Sequence, residues 1–578
     1  MDDRPQDPTP QDPGAPDPTP VPGPPETPPA RRSARRTLVA LIVGVAVVVG
    51  GGVALAYFTM RGASERLVSV VPAQADVFVS VYLDPSASQK VNLLRLAGQF
   101  PDLGEGQDLS RRVDDLLDEG LADAGLTHDD VRPWLGSQLG LSVELGDDGT
   151  PHTAFLIATT DPEASQAALE KVADQDLRVH DYDGVVVSVA EDGEGAFAIV
   201  GGVVVLATDE TTVRRAIDAS NGTAPDITTS QVYLDTVAGL PEGKLGMAFV
   251  NVAGLVDRFG SETAASAAIG AGGLGELEAI DGLGISLSAE TDGIALDVTT
   301  NYDPTKLSEA QRDLLDAPDH ENATLAFVPD DAFAVMAQEH LDMILRTTLD
   351  EIERQTPDAA ASIDQAGIDG LLDAMTGDMA LELGPGTRGP VSAALIVGTD
   401  DPDRMRTFLE GVAGAASQLM AQQGAAGSSA FVPTPTEPRP LATEQYQGVE
   451  ISFIDDPALA ELGFAPAYAV VDGAGVIATS PEEIHQLIDT EASGQDIRTA
   501  SVFSSATATV PSTEGVFFLD VQGIASTVRE NLPPDAQATY DRDVAPNLAP
   551  ISAFVIGSES DEQHQTVRMF LQIRATKG

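Results

Sequence analysis

Adjacent aspartates are the residues in this sequence that most directly suggest catalysis, because two close carboxylates can act as general acid and general base. Such pairs begin at Asp114, Asp129, Asp147, Asp330, Asp400 and Asp455. The chain has 90 acidic residues among 578, however, so pairs of this kind are expected by chance. We interpret them as parts of a solvated acidic face, and the sequence predicts no catalytic residue.

Metal-ligand patterns are equally sparse. No two of the seven histidines have zinc-type spacing such as HExxH, which disfavours a zinc enzyme. They are His128, His152, His180, His320, His340, His485 and His564. The segment "HDYDG" from His180 to Gly184 offers only a fragment of a calcium loop, which needs closely spaced oxygen ligands and a terminal glutamate. We therefore predict no metal ligand, with weak calcium binding at this fragment as the alternative.

One glycine pattern resembles a cofactor-binding sequence. The segment "GAGGLG" from Gly270 to Gly275 satisfies GxGxxG, which binds a dinucleotide only where a strand precedes it and a helix follows. Here the preceding "SETAASAAI" is helix-like, and the following "ELEAIDGLGISLSAE" soon becomes a strand. A flexible turn is the better interpretation. The nucleophile patterns GxSxG and SxxK are absent, so we predict no cofactor and no enzyme activity.

Polar residues recur instead where helices are predicted to begin. Ser480 precedes Pro481, and Glu483 follows at the spacing of a capping box. Asp209 holds the corresponding position in an earlier, similar segment. Three Asp-Pro pairs have the same form and begin at Asp84, Asp161 and Asp401. We predict that all these polar side chains cap helices.

The composition limits the classes of partner. The chain carries 32 basic and 90 acidic residues and a formal charge of -58, which repels the phosphates of nucleic acids. Nucleic acid binding is therefore excluded from the expected functions. The chain has no cysteine, so it can form neither disulfides nor thiolate metal sites.

The first sixty residues predict a membrane anchor. Residues 1–36 are a Pro-rich tail that ends in an arginine cluster and has too few apolar residues to fold, so we expect it to be disordered. Residues 37–60 contain no charge, and 24 helical residues span roughly 36 Å, enough to cross a bilayer. The arginines preceding this segment predict a single-pass protein with a cytoplasmic N-terminus and an extracytoplasmic C-terminal region. The alternative is a cleaved signal peptide, because "ALA" at Ala54 to Ala56 resembles a cleavage site.

The remaining sequence repeats itself in order. "VVVLATDETTVRRAID" from Val203 resembles "AGVIATSPEEIHQLID" from Ala474, and further matches keep the same order along the chain. They include "VPAQADVFVSV" with "VPDDAFAVMAQ", and "AFLIATTDPEASQAALEKV" with "AALIVGTDDPDRMRTFLEGV". We predict two tandem homologous modules, residues 66–305 and 326–576, joined by the helix-prone linker 306–325.

Each predicted module alternates short β-branched runs with amphipathic stretches, which indicates strands interleaved with helices. Neighbouring runs are separated by turn residues, as in "SVAEDGEGAFAIVGGVVVLA" from Ser188. This spacing favours hairpins and a mainly antiparallel sheet over a doubly wound one. The predicted fold class is therefore α+β, behind a single N-terminal transmembrane helix.

The segment "VPAQADVFVSVYLDPSASQKVNLLRLAGQFPDL" from Val71 carries a family resemblance, mainly in "LDPSASQK" and "QFP", together with "WLG" from Trp134. With the proline-rich tail, the arginine cluster and the single span, the chain resembles an uncharacterised actinobacterial family of membrane-anchored proteins defined by domain of unknown function 3352. The resemblance covers nearly all of the predicted exterior region. It implies a location at the membrane, and it transfers no catalytic residue.

We therefore expect a non-enzymatic, extracytoplasmic binding or cell-envelope organising protein, whose partners are the membrane, through residues 37–60, and an envelope protein or wall component. One alternative is an extracytoplasmic hydrolase with an unrecognised carboxylate site. Another is a signalling protein whose cytoplasmic tail is phosphorylated at Thr9, Thr19 or Thr27.

Overall fold

The computed structural model describes residues 65–101, 128–173, 177–191, 193, 195–260, 277–318, 320–355, 368–425, 441–511, 515–561 and 563–574. Within these ranges no helix has the length and apolar character needed to cross a membrane. The predicted tail 1–36 and the predicted span 37–60 lie outside the described residues, as does the glycine-rich segment Gly270 to Gly275.

In the described part of the chain, twenty strands form one hydrogen-bonded sheet. The first ten are β1 (Val77–Tyr82), β2 (Leu135–Leu145), β3 (Pro151–Thr159), β4 (Leu177–Tyr182), β5 (Val185–Ala190), β6 (Ala196–Val200), β7 (Val203–Ala207), β8 (Gly246–Asn251), β9 (Ile280–Glu290) and β10 (Gly293–Tyr302). They pair in the order β4, β5, β6, β7, β3, β2, β1, β8, β9, β10. Every one of these pairings is antiparallel.

The second ten strands pair in the corresponding order. They are β11 (Ala334–Gln338), β12 (Met375–Pro385), β13 (Val391–Thr399), β14 (Leu441–Tyr446), β15 (Val449–Ile454), β16 (Ala467–Val471), β17 (Ala474–Ala478), β18 (Gly515–Asp520), β19 (Ile551–Ser560) and β20 (His564–Ile573). Their order across the sheet is β14, β15, β16, β17, β13, β12, β11, β18, β19, β20, again antiparallel throughout.

The two groups meet at β10 and β20, which pair antiparallel from Gly293 opposite Gln572 to Asn301 opposite His564. The sequence led us to expect a sheet in each of two tandem modules, and this junction joins them into one. The repeat could not reveal the junction, because β10 and β20 are corresponding strands that contact each other. The coarser prediction of a mixed fold of helices with a large antiparallel sheet is confirmed.

The helices occupy the connections between strands. They are α1 (Ala87–Ala97), α2 (His128–Val131), α3 (Pro162–Ala173), α4 (Glu210–Asn221), α5 (Gln231–Ala238), α6 (Val252–Phe259), α7 (Glu309–Leu315), α8 (Leu341–Gln355), α9 (Ile368–Leu372), α10 (Pro402–Ala425), α11 (Pro457–Glu461), α12 (Pro481–Ser493), α13 (Ser501–Thr507), α14 (Val521–Asn531), α15 (Pro534–Asp543) and α16 (Ala545–Leu548). Short 3-10 helices occur at Leu67–Val70, Ile227–Thr229, Leu277–Ala279, Ala323–Phe327 and Ile497–Thr499. Helix α7 lies in the predicted linker and begins with a capping box formed by Ser308 and Gln311.

Helices cover both faces of the sheet at its most apolar strands. In β7, Val205 packs in a cluster with Ile217 of α4, whereas Leu206 packs in another cluster with Leu169 of α3. Successive side chains of a strand point to opposite faces, so all five residues of β7 are buried. This explains why the strand is a continuous apolar run, a pattern typical of a strand covered on both faces.

Four of the predicted helix caps are confirmed, and each accepts a hydrogen bond from the backbone amide three residues later. The bonds join Asp161 to Ala164 (3.0 Å), Asp209 to Thr212 (2.9 Å), Asp401 to Arg404 (3.1 Å) and Ser480 to Glu483 (3.2 Å). Pro481 stands in the first turn of its helix, as predicted. The polar residues that recur in the sequence therefore begin helices.

Two details of the cap prediction are wrong. Helix α1 is capped by Ser86 and not by Asp84, because the helix begins at Ala87, two residues later than the Asp-Pro pattern implies. Asp84 is buried and forms an ion pair with Lys90. Glu483 does not complete a capping box, because its buried carboxyl group lies against Glu382.

The cap at Asp161 gives a direct test. Asp161→Ala removes the acceptor of the Ala164 amide at the start of α3 and should lower the free energy of unfolding by about 0.5–2 kcal/mol. Asp161→Asn keeps an acceptor and should recover most of the loss. Urea denaturation of the three proteins measures both changes. Equal losses in the alanine and asparagine variants would show that the carboxylate charge, and not capping, stabilises the helix.

Candidate functional site

The aspartate pairs lie mostly in turns and helix starts. Asp148 accepts the amide of Thr150 in the β2–β3 turn (2.9 Å), and Asp456 accepts the amide of Leu459 at the start of α11 (3.2 Å). Asp401 is the helix cap described above. The pair that begins at Asp114 and the side chain of Asp129 lie outside the described residues. Asp148, Asp401 and Asp456 thus each stabilise a turn or the start of a helix.

The aspartate pair Asp330 and Asp331 lies near two buried glutamates. Glu382 of β12 and Glu483 of α12 are 0% and 1% exposed, and the exposed Asp331 lies close enough to act on both electrostatically. Both carboxylate oxygens of Glu382 and Oε2 of Glu483 are buried without a hydrogen-bond donor. We call Glu382 and Glu483 the carboxyl pair.

The environment of the carboxyl pair favours protonation. Burial and then the neighbouring Glu483 and Asp331 raise the pKa of Glu382 to about 9. Burial also raises the pKa of Glu483, although Ser392 lowers it in part. A proton on Glu382 supplies a hydrogen-bond donor between the two carboxyl groups. Neither group is exposed to solvent, so the pair is a buried contact between β12 and α12.

The calcium-like fragment "HDYDG" is a hairpin turn. Asp183 and Gly184 have φ angles of 52° and 82° and join β4 to β5, where Asp181 accepts the amide of Gly184 (3.2 Å). Left-handed φ angles at two central turn residues are typical of tight hairpins, in which aspartate and glycine are favoured. The spacing of these residues thus has a backbone cause.

Four histidines each contact one carboxylate. The shortest contacts are His152 with Asp209 (2.9 Å), His180 with Glu210 (3.1 Å), His485 with Glu444 (2.7 Å) and His564 with Asp561 (3.5 Å). The side chain of His128 lies outside the described residues. Single pairs of this kind are common on protein surfaces, and none of these four belongs to a group of three potential metal ligands among the described residues.

The two remaining histidines come together with two acids, and we call this group the histidine cluster: His320, Glu339, His340 and Asp378. His320 lies in the segment just before the 3-10 helix Ala323–Phe327. Glu339 and His340 directly follow β11, and Asp378 lies in β12. Asn322 holds the segment that contains His320 against β11 and β12, since its amide group donates to the carbonyls of Gln338 (3.1 Å) and Met379 (3.2 Å). Strand pairing therefore positions the cluster.

The imidazole of His320 contacts a carboxylate on each side. Its Nε2 lies 2.6 Å from Oδ1 of Asp378, and its Nδ1 lies 3.4 Å from Oε2 of Glu339. The same Glu339 oxygen accepts the backbone amide of His320 (3.2 Å), and the second Asp378 oxygen accepts the amide of Ala323 (2.8 Å). Both acids are almost fully buried.

Burial and the nearby negative charges have opposite effects on the pKa of His320. Burial disfavours the protonated imidazole, but the hydrogen bond to Asp378 and the charges of Asp378 and Glu339 outweigh it and raise the pKa of His320. Burial raises the pKa of Glu339, and the amide and charge of His320 offset this only in part. The cluster is thus a place where a positive charge is favoured.

His340 completes the group. Its ring centroid lies 5.0 Å from that of His320 at an interplanar angle of 70°, and its φ of 54° is unusual for a residue other than glycine. Its Nε2 is buried and has no hydrogen-bond partner among the described residues. Sequence reasoning missed this cluster, because its members are separated by 19, 1 and 38 positions; the adjacent "EH" after a strand was the one local signal.

Comparison with solved structures gives no usable relationship. Crystal forms III and I of TP0453 match with TM-scores of 0.23 and 0.22 and sequence identities of 9% and 10%. Each match covers 45% of this chain and 90% or 89% of the other. Scores this low carry no argument about fold or function. No curated protein matches the sequence.

A family comparison is informative. The family described as "Protein of unknown function (DUF3352)" matches residues 39–573, which include every described strand and helix and most of the predicted span 37–60. This agrees with the resemblance carried by the segment from Val71. Since the match covers well over half of the sequence, the chain belongs to the DUF3352 family.

Proposed function

We propose that the protein is a non-enzymatic, single-pass membrane protein whose extracytoplasmic part binds or organises a component of the cell envelope. Residues 37–60 anchor it, residues 1–36 form a cytoplasmic tail, and two homologous modules, 66–305 and 326–576, make up the exterior part. The partner is an envelope protein or a wall component, and the charge of -58 argues against nucleic acid.

The observation that carries this proposal is that polar side chains at corresponding positions of the two groups of strands serve the fold. Tyr182 donates to Asp218 (3.1 Å), and Tyr446 donates to Asp489 (2.9 Å). Likewise, Asp209 and Ser480 cap α4 and α12. Residues that a catalytic module would be expected to share in a site are used here to hold strands and helices.

The carboxyl pair of the second module, in contrast, has no carboxyl counterparts in the first module. By strand register, Ser142 in β2 lies opposite Phe78 as Glu382 in β12 lies opposite Val335. Thr212 follows its helix cap as Glu483 follows Ser480. The carboxyl pair thus has neutral hydroxyl residues in the corresponding places. A duplicated scaffold with different local polar groups fits binding better than a duplicated reaction.

The long sheet offers a rigid support for binding. Among the described strands, β4 and β14 each pair on one side only and form the two ends of the sheet. Val179 of β4 is 56% exposed and Leu441 of β14 is 38% exposed. Backbone groups on the outer side of an end strand are available for a partner strand. We therefore regard these ends as the first places to look for the partner.

Topology gives the first test. A protease added to intact cells stripped of their wall should degrade the region after residue 62 and spare the tail 1–36, because the arginine cluster holds the tail inside. Antibodies against the tail and against the exterior part measure the two fragments. Protection of the exterior part in intact cells, with degradation after lysis, would reverse the proposed orientation.

Binding is tested by crosslinking in living cells. Photo-reactive residues at Val179 and Leu441 should each give a discrete covalent adduct whose partner is identified by mass spectrometry. The same residue at the exposed Val544, away from the ends of the sheet, is the control. Catalysis would contradict this proposal. If the purified protein turned over a wall glycan, peptide or ester, and one stably folded carboxylate-to-amide variant abolished that turnover, the protein would be a hydrolase.

A further inference from the structure

The histidine cluster contains the one group of three potential metal-ligating side chains in the described part of the chain. One nitrogen of His320, one nitrogen of His340 and one carboxylate oxygen of Glu339 all lie within 4.8 Å of one another. We propose that these three residues bind a divalent transition metal ion of the zinc type.

The distances are close to those of a bound metal. Zinc bonds of about 2.0–2.2 Å in a tetrahedral arrangement place neighbouring ligand atoms about 3.3 Å apart. Nδ1 of His320 and Oε2 of Glu339 already lie 3.4 Å apart. The ligand nitrogen of His340 lies within 4.8 Å of both of these atoms.

A supporting hydrogen bond is already present. Histidines that bind a metal through one ring nitrogen commonly donate from the other to a carboxylate, which fixes the tautomer and the ring orientation. Asp378 accepts from Nε2 of His320 at 2.6 Å and is itself held by the amide of Ala323. This arrangement leaves Nδ1 of His320 directed at Glu339 and available as a ligand.

His340 provides a second, independent argument for a bound metal ion. Its Nε2 is buried without a partner in the described structure, and leaving a buried polar atom unsatisfied costs about 1–3 kcal/mol. A metal ligated through this nitrogen provides the missing partner. The left-handed backbone at His340 costs further energy, and strain of this kind is concentrated at functional sites.

The ligand types select the class of metal. Two imidazoles and one carboxylate suit zinc and neighbouring transition metals, whereas calcium and magnesium prefer oxygen ligands. With three protein ligands, a tetrahedral ion keeps one open position for water or a partner group. The chain has no cysteine that could compete as a thiolate ligand.

The test is a zinc titration of the full-length protein in detergent after treatment with a chelator. Isothermal calorimetry should show one tight equivalent above the weak binding expected of an acidic surface. Cobalt(II) in place of zinc should give the visible absorption of a tetrahedral ion. His340→Asn tolerates the left-handed backbone and should weaken the tight site at least about 10-fold. Asp378→Asn removes the negative charge that supports His320 but removes no metal ligand, and it should weaken the tight site about 10–100-fold.

His485→Gln is the matched control, since His485 also contacts a carboxylate but has no third ligand beside it in the described residues. It should bind zinc as the parent protein does. Circular dichroism establishes that each variant is folded, and Glu339→Gln replaces His340→Asn if that variant unfolds. The inference fails if the parent protein has no tight equivalent, or if the cluster variants bind zinc as tightly as His485→Gln does.

Discussion

Arg568→Met should lower the free energy of unfolding by about 3–5 kcal/mol, because it leaves a buried carboxylate without its partner. Asp297 of β10 is 2% exposed and lies directly opposite Arg568 of β20. Nε of Arg568 lies 2.6 Å from Oδ1 of Asp297, and Nη1 lies 3.2 Å from Glu290. Among the described strands, this ion pair crosses the pairing that joins the two halves of the sheet.

The measurement is urea denaturation, with hydrogen exchange of the amides in β20 as a local readout. Arg529→Met is the matched control, since Arg529 forms an ion pair with Asp541 on the exposed surface (2.6 Å). Such pairs contribute about 0–1 kcal/mol, so this variant should be nearly unchanged. The double variant Asp297→Leu with Arg568→Met removes both charges and should recover most of the stability.

Equal stability of the Arg568→Met and Arg529→Met variants would mean that the β10–β20 junction does not hold the two halves together in solution. That result would favour the simpler arrangement predicted from the repeat, with a separate sheet in each module. The experiment thus decides an architectural question that the order of the sequence matches leaves open.

Local interactions were predictable from the sequence. The caps at Asp161 and Ser480 depend on residues within one helical turn, so short polar patterns identify them. The turn at Asp183 and Gly184 follows from the same local chemistry. Alternation of apolar runs with turn residues likewise sufficed for a largely antiparallel sheet, because hairpins connect neighbours along the chain.

Contacts between distant segments were not predictable in this way. Glu382 and Glu483 are 101 positions apart, and only the packing of α12 against the sheet brings them together. The histidine cluster combines the end of a linker, the end of one strand and the interior of another. A search for helical zinc patterns could not find it, since none of its ligand pairs has helical spacing.

The same distinction explains the error at Asp84. The Asp-Pro pattern is a genuine helix start at Asp161 and Asp401, and it fails where a serine two residues later offers a better cap. Asp84 then forms an ion pair with Lys90, which lies on the first turns of the helix. Local patterns thus suggest a set of candidate caps, and tertiary contacts select among them.

Glu382→Gln should remove a pH dependence of stability. The pKa of Glu382 is raised from 4.5 to about 9 in the folded protein, by burial first and by Glu483 and Asp331 next. Between these values the folded protein holds a proton that the unfolded chain has released. Unfolding therefore releases a proton, and rising pH favours the unfolded state. The stabilising contribution is complete below pH 4.5 and declines as the pH rises toward 9.

The glutamine amide resembles the protonated acid, since it can donate to Glu483 and cannot ionise. At pH 8 the variant should be more stable than the parent protein by about 2–5 kcal/mol, since each unit of pKa shift corresponds to about 1.4 kcal/mol. At pH 4.5 the two proteins should differ little. Urea denaturation followed by circular dichroism from pH 4.5 to 9 measures the difference.

Glu491→Gln is the control, because Glu491 is an exposed residue of the same helix as Glu483 and its substitution removes one negative charge without altering the carboxyl pair. Its stability should follow the parent protein at every pH. If Glu382→Gln also ran parallel to the parent, Glu382 would be ionised in the folded protein, and a nearby cation or an opening to solvent would be required. A difference that grows with pH only for Glu382→Gln would establish that the folded protein holds a proton on Glu382, in the buried contact between β12 and α12.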